Sequence, residues 1–167
     1  MPDYVVDTNV LLVASAAHPF SPFDECDLTE TDRDKVLDWL SRFHADQDCR
    51  MVWDRDFRIY DEYRHKLGEQ DYGLLVVHEK MGSSRQVDIE YDLDTHALVP
   101  GDFADLDNSD RKFLAVVLAD DAKPTLANAT DTDWLKIETR LADAGIQVEH
   151  IIETWLRGKH AEKESRA

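Results

Sequence analysis

The chain has 167 residues, 43% of them hydrophobic, and a formal net charge of −17. That length and apolar content suit one folded domain with a substantial core. No window approaches the roughly 18 uninterrupted apolar residues of a membrane span, and no basic region followed by an apolar stretch marks a signal peptide, so a cytoplasmic protein is expected. A surface this acidic repels phosphate backbones and argues against a general nucleic-acid binder, but not against an enzyme whose metal ions neutralise its site.

Cys26 and Cys49 lack a close pairing motif, and a reduced pair of thiols is expected. The seven histidines show no zinc-ligand spacing.

In chain order, Tyr4-Val5-Val6 predicts a first strand that enters a helix over Val10 to Ala17. His18 to Glu30, with Pro19 and Pro22, predicts a loop, and Thr31 a cap for the next helix, where Val36, Leu37, Leu40 and Phe43 recur at helical spacing. Arg50 to Trp53 predicts a short strand. A helix then starts at Asp54 or Asp56 and runs to Leu67, stopped by Gly68. Within the poorly patterned stretch 69–105, Leu74 to Met81 suits a short helix and Val87 to Tyr91 alternates like a strand. Asn108 to Ala119 predicts a helix capped by Asn108 or Ser109, and Thr125 to Ala129 a buried strand. Trp134 to Ala144 predicts a helix stopped by Gly145, with Trp134, Ile137 and Leu141 inward. Ile146 to Ile151 predicts a last strand, followed by a short helix and a charged tail from Gly158. Alternating strands and helices imply an α/β fold, a mostly parallel sheet with helices on both faces.

Four places in this alternation carry acids that could converge. Asp7 stands where the first strand gives way to a helix, at the strand end where open α/β sheets gather ligands, although Asp is also a favoured helix cap. Glu62 has Arg58 and Lys66 at i−4 and i+4, which suits a solvated charge ladder equally well. Asp110 continues the core-facing stripe Phe113, Leu114 and Val117, with Asp107 one turn earlier; favourable interaction with the helix N-terminus is its structural alternative. Asp131 follows the Thr125 to Ala129 strand, while Asp133 suits a cap for the Trp134 helix. Acids gathered without basic partners repel each other, and folds that hold them so bind hard cations there. Oxygen ligands without clustered Cys or His favour Mg²⁺ or Mn²⁺.

The pieces D-T-N-V-L-L (7–12), I-Y-D-E-Y (59–63), D-R-K-F-L-A-V-V-L (110–118) and T-D-T-D-W (130–134) resemble the ordered acidic motifs of PIN domains. The resemblance covers about residues 3–150, and its first and last motifs are the specific ones. It implies a three-layer α/β/α sandwich over residues 1–156, with 157–167 as a charged tail. It places Asp7, Glu62, Asp110 and Asp131 at the family's metal-binding catalytic acids and Asp133 at an accessory acid. Asn9 and Thr130 fall at supporting polar positions, and Asp107 competes with Asp110 for the third acid. The loop at 18–30, the stretch 69–105 and the tail depart from compact members of the family.

The activity implied is metal-dependent hydrolysis of phosphodiester bonds, mostly in RNA, leaving a 5′-phosphate and a 3′-hydroxyl. One Mg²⁺, or two about 3.5–4 Å apart, would lower the pKa of a water and offset charge building on the phosphate. Arg58, Lys66, Arg111 and Lys112 are candidates to hold substrate phosphates, with solvated surface cations as the alternative reading. Candidate partners are RNA, an antitoxin or regulatory protein, and a second copy of the chain. A catalytically weak binding or assembly module on the same scaffold is the competing expectation. An aspartyl phosphotransferase is disfavoured, because Asn9 stands where such enzymes carry a second acid.

Overall fold

The computed structural model describes residues 1–17 and 28–167. Most of the loop expected between His18 and Glu30 lies outside the described residues, as does Cys26; Cys49 is a buried free thiol.

Strand β1 (Tyr4–Val6) pairs in parallel with β4 (Thr125–Asn128), with Tyr4 opposite Thr125 and Val6 opposite Ala127. On the far side of β4 lies β5 (Val148–His150), also parallel, with Asn128 opposite His150. A second parallel pair joins β2 (Val52–Asp54) to β3 (Arg85–Val87). The two pairings meet at a parallel bridge between Tyr4 and Met51, where Tyr4 N donates to Arg50 O at 3.0 Å. Laterally, the strands therefore run β3-β2-β1-β4-β5. β1, β2 and β4 are buried at every residue, as parallel strands covered on both faces are. β3 and β5 end the row and are more exposed.

Helix α1 (Thr8–Ala16) leaves β1 at once and packs on α2 (Glu30–Ala45) and α4 (Tyr72–Lys80), while α5 (Arg111–Ala119) packs on β1, β2 and β4. α2 is capped by Thr29, not Thr31: the Thr29 hydroxyl accepts from Asp32 N at 3.1 Å. Its Trp39 stacks on Phe43 and meets Tyr4 edge to face, with centroids 5.4 and 5.0 Å apart. The Glu149 carboxylate accepts from Trp39 Nε1 and from the Tyr4 hydroxyl, tying β5 to this cluster.

Helix α3 (Arg58–Lys66) is started from a distance. Asp54, fully buried at the end of β2, accepts from Arg58 N and Ile59 N, each at 2.9 Å, and Phe57 turns the chain in the left-handed region at φ 60°. In the middle stretch the strand covers Arg85–Val87, not Val87 to Tyr91. The Arg85 guanidinium is drawn inward by Asp3 and Asp120, so the pairing with β2 begins there. Residues 90–98 turn back on themselves, with Tyr91 bridging Ala97.

Further differences lie at helix ends. α5 starts at Arg111, because Asp107 folds residues 107–110 into a turn by accepting from Ser109 N and Oγ at 2.9 and 2.6 Å. The helix expected from Trp134 to Ala144 is two pieces, α6 (Asp133–Lys136) and α7 (Glu138–Asp143), broken where Ile137 leaves helical geometry at ψ 12°. Trp134, Ile137 and Leu141 are buried as expected, and Gly145 ends the segment at φ 74°. The last helix, α8 (Glu153–Arg166), runs through Gly158 and takes in the residues expected as a tail. No helix among the described residues is long and apolar enough to cross a membrane.

Gly73 brings α4 close against α1. A Cβ there would stand 2.8 Å from Leu11 O and 2.9 Å from Leu11 Cβ, and Gly73 N already donates to Ser15 Oγ at 2.9 Å. Gly73→Ala is expected to cost about 1–3 kcal/mol in urea unfolding, the scale of an overpacked contact. A loss under about 0.5 kcal/mol would mean that α4 can shift aside.

Candidate metal centre

The carboxyl ends of β1 and β4 point to one place. β1 and β4 are neighbours, yet the chain continues from β1 toward β2 on the other side, so the strand order reverses between them. Ligands of open parallel sheets collect in the crevice at such a point. Asp7 follows β1 directly and Asp131 follows β4 after a short turn. Asp110 arrives from the start of α5, which packs on both strands.

Asp7, Asp110 and Asp131 each offer a carboxylate oxygen, and these oxygens all lie within 4.8 Å of one another. Asp7 is 5% exposed and Asp110 9%; Asp131 is half-buried. Asp107 stands outside this group, engaged in its own turn with Ser109. Asp7 is also a helix cap: its Oδ1 accepts from Asn9 N at 3.4 Å, while its Oδ2 accepts from Trp134 Nε1 at 2.7 Å. The indole bond leaves the carboxylate little rotational freedom.

Burial, then the charge of Asp131, pushes the Asp7 carboxyl up to about 7, against the indole and amide bonds that favour its charged form. Burial followed by the charges of Asp131 and Asp7 pushes Asp110 up to about 8. Asp131 is raised by burial and by Asp133, although the amide of Asp133, Lys163 and Lys136 oppose the rise. Nearby lysines are directed elsewhere: Lys136 pairs with Asp133 at 2.6 Å, and Lys163 donates to Thr132 Oγ1 at 2.9 Å. Three largely buried, mutually repelling carboxylates that offer only oxygen donors could hold a hard cation.

Glu62 is not one of the three converging acids. Its carboxylate accepts from Thr8 Oγ1 at 2.6 Å and pairs with Lys112 and, at 3.3 Å, with Lys66. Burial alone would raise it, but Lys112, Thr8 and Lys66 together hold it below the ordinary value. Glu62 thus stays ionised beside Asp7, whose pKa its charge helps to raise. Asp133 is the first residue of α6, not its cap; Thr132 occupies the cap position, and Asp131 Oδ1 accepts from Asp133 N at 2.9 Å.

Two asparagines clasp the strand ends. Asn9 Oδ1 accepts from Ala129 N and Thr130 N at 2.8 and 3.1 Å, and Asn9 Nδ2 donates to Asn128 Oδ1 at 3.1 Å. Asn128, fully buried, accepts from Asp131 N, donates to Asp131 O, and bonds His150 Nδ1 at 3.1 Å. Asn9 thereby ties the ends of β1 and β4 together, with Thr130 engaged through its backbone.

The four candidate phosphate-binding cations are less free than sequence spacing implies. Arg111 donates to Leu106 O and Ala104 O, pinning the preceding loop, and Lys66 pairs with Glu62. Lys112 bridges Glu62 and Ser109 O, while Arg58 lies over the Tyr91 ring and donates to Thr95 O. No protein-family model, curated protein or solved structure matches the chain. Sequence reasoning did not single out Asn128, Trp134 Nε1 or Lys163. An amide closing an otherwise apolar strand was the signal available for Asn128.

Proposed function

We propose that the chain is a metal-dependent phosphodiesterase acting on RNA, built as a PIN-like three-layer α/β/α sandwich, with Asp7, Asp110 and Asp131 holding Mg²⁺ or Mn²⁺. The observation that carries this reading is the convergence of those three carboxylates within 4.8 Å at the reversal of strand order. The layered arrangement is supported by a parallel row of strands buried at its centre, with α5 packed on three of them. The buried free thiol of Cys49 suits a reducing, cytoplasmic setting.

The cation supplies a water of lowered pKa and positive charge opposite the phosphate oxygens. The chain's own residues prepare the rest. Trp134 Nε1 aims Asp7, and the asparagine clasp fixes the backbone that carries Asp131. Glu62, kept anionic by Lys112 and Lys66, accepts from Thr8 at the head of α1 and adds a fixed negative charge beside Asp7. Lys112, paired with Glu62, also lines a cleft beside the start of α5.

The test is cleavage of end-labelled single-stranded RNA with Mg²⁺ or Mn²⁺, mapping the new ends. Asp131→Asn and Asp110→Asn are each expected to lower the rate on the order of a hundredfold or more, with far-UV circular dichroism unchanged. Undiminished cleavage by both variants, or cleavage indifferent to EDTA, would overturn the reading.

A further inference from the structure

A cleft of about 330 Å³ opens beside the start of α5, lined by Arg58, Tyr91, His96, Asp107, Ser109 and Lys112 among others. Lys112, two residues beyond Asp110, faces the cleft and pairs with Glu62. In a chain of net charge −17, this recess brings together Arg58 and Lys112 against the single acid Asp107 among its lining residues.

The cleft wall is built with unusual firmness. The Arg58 guanidinium lies 3.9 Å over the centroid of the Tyr91 ring, and its Nη1 donates to Thr95 O at 3.1 Å. The Tyr91 hydroxyl donates to Asp54 Oδ2 at 2.7 Å, and the same oxygen accepts from Arg58 N at 2.9 Å. One fully buried carboxylate thus fixes both the ring and the helix start that carries the arginine. The turn that supplies Thr95 is closed in its own right. Asp92 Oδ1 accepts from Asp94 N and His96 N, each at 2.9 Å, and Asp92 N donates to His96 O. None of these groups is needed to hold a cation at the three aspartates.

The Arg58 guanidinium has one face on the Tyr91 ring and lines the cleft. Such a plane stacks on nucleobases, which is how proteins read unpaired strands without requiring one sequence. A recess of this volume takes one base and its sugar. We propose that this cleft seats one base of a single-stranded polynucleotide, stacked on Arg58, with the adjoining phosphate directed by Lys112 toward the acidic site. The choice of ligand rests on the nuclease reading above. Paired bases cannot enter, so duplex is excluded by shape.

The experiment measures anisotropy of a short labelled single-stranded RNA binding the full chain in Ca²⁺, with single abasic positions scanned along the strand. Wild type is expected to lose about tenfold in affinity when the base at one position is removed, the scale of one stacked base. Arg58→Lys keeps the charge and removes the plane. It is expected to bind intact and abasic strands alike, at the wild-type affinity for the abasic strand. The proposal fails if wild type is indifferent to base removal at every position, or if Arg58→Lys keeps the discrimination. Mg²⁺-dependent cleavage without base discrimination would sink the cleft and leave the nuclease standing; base discrimination without cleavage would do the reverse.

Discussion

Asp7→Asn is expected to make the metal-free protein more stable at pH 8, by about 2–4 kcal/mol. The Asp7 carboxyl is raised from 3.8 to about 7 in the folded chain, chiefly by burial. A group raised in this way holds its proton more tightly folded than unfolded. Its contribution favours folding below pH 4 and is lost as pH climbs through 7, where the folded state must ionise a carboxyl that burial disfavours. A rise of that size corresponds to about 4 kcal/mol, which sets the upper end of the expectation. Asn cannot ionise, and its side-chain oxygen can still accept from Trp134 Nε1. Urea unfolding in EDTA at pH 5 and pH 8 reads the effect: the variant's advantage should grow with pH. Mg²⁺ or Mn²⁺ should then stabilise wild type at pH 8 and leave the variant unmoved. A variant less stable than wild type at both pH values would show that Asp7 is held mainly by its hydrogen bonds.

Asn128→Ala is expected to act in the opposite direction, costing about 3 kcal/mol. The side chain is fully buried, and its amide satisfies groups on three separate segments: Asn9, the backbone of Asp131, and His150. Truncation leaves the N–H and C=O of Asp131 unpaired, each costing about 1–3 kcal/mol if water cannot reach it, with some recovery by relaxation. The same change loosens the turn that aims the Asp131 carboxylate, so divalent-ion affinity should fall by about 10–100-fold, as when a ligand loses its supporting bond. Urea unfolding and titration calorimetry read the two effects separately. Unchanged affinity in a destabilised variant would confine Asn128 to holding β4 and β5 together.

The places of the central strands were legible because buried parallel strands announce themselves as short, largely apolar runs. Tyr4 to Val6 is such a run and Thr125 to Ala129 nearly one, interrupted by Asn128, and acids at their ends were enough to mark Asp7 and Asp131. Asp110 was legible through its place on the α5 stripe. Helix starts were read less well, because capping acts through side chains that need not sit at the helix boundary. Asp54 starts α3 from the end of a strand, and Asp107 folds the turn that delays α5. β3 escaped because its position follows from the Arg85 contacts with Asp3 and Asp120, which are distant in sequence. The state of Glu62 was hidden for a similar reason. Lys66 was visible at helical spacing, but Lys112 comes from another helix and does more to keep Glu62 charged.

The bond from Lys163 to Thr132 brings the ammonium of α8 within electrostatic reach of Asp131. A divalent ion entering between the aspartates meets that ammonium as a like charge. The two therefore compete, and competition between sites is reciprocal in free energy: whatever hold the helix loses when the ion arrives, the ion gains when the helix lifts away. A surface helix far downstream of the aspartate thus shares in setting how readily the centre fills.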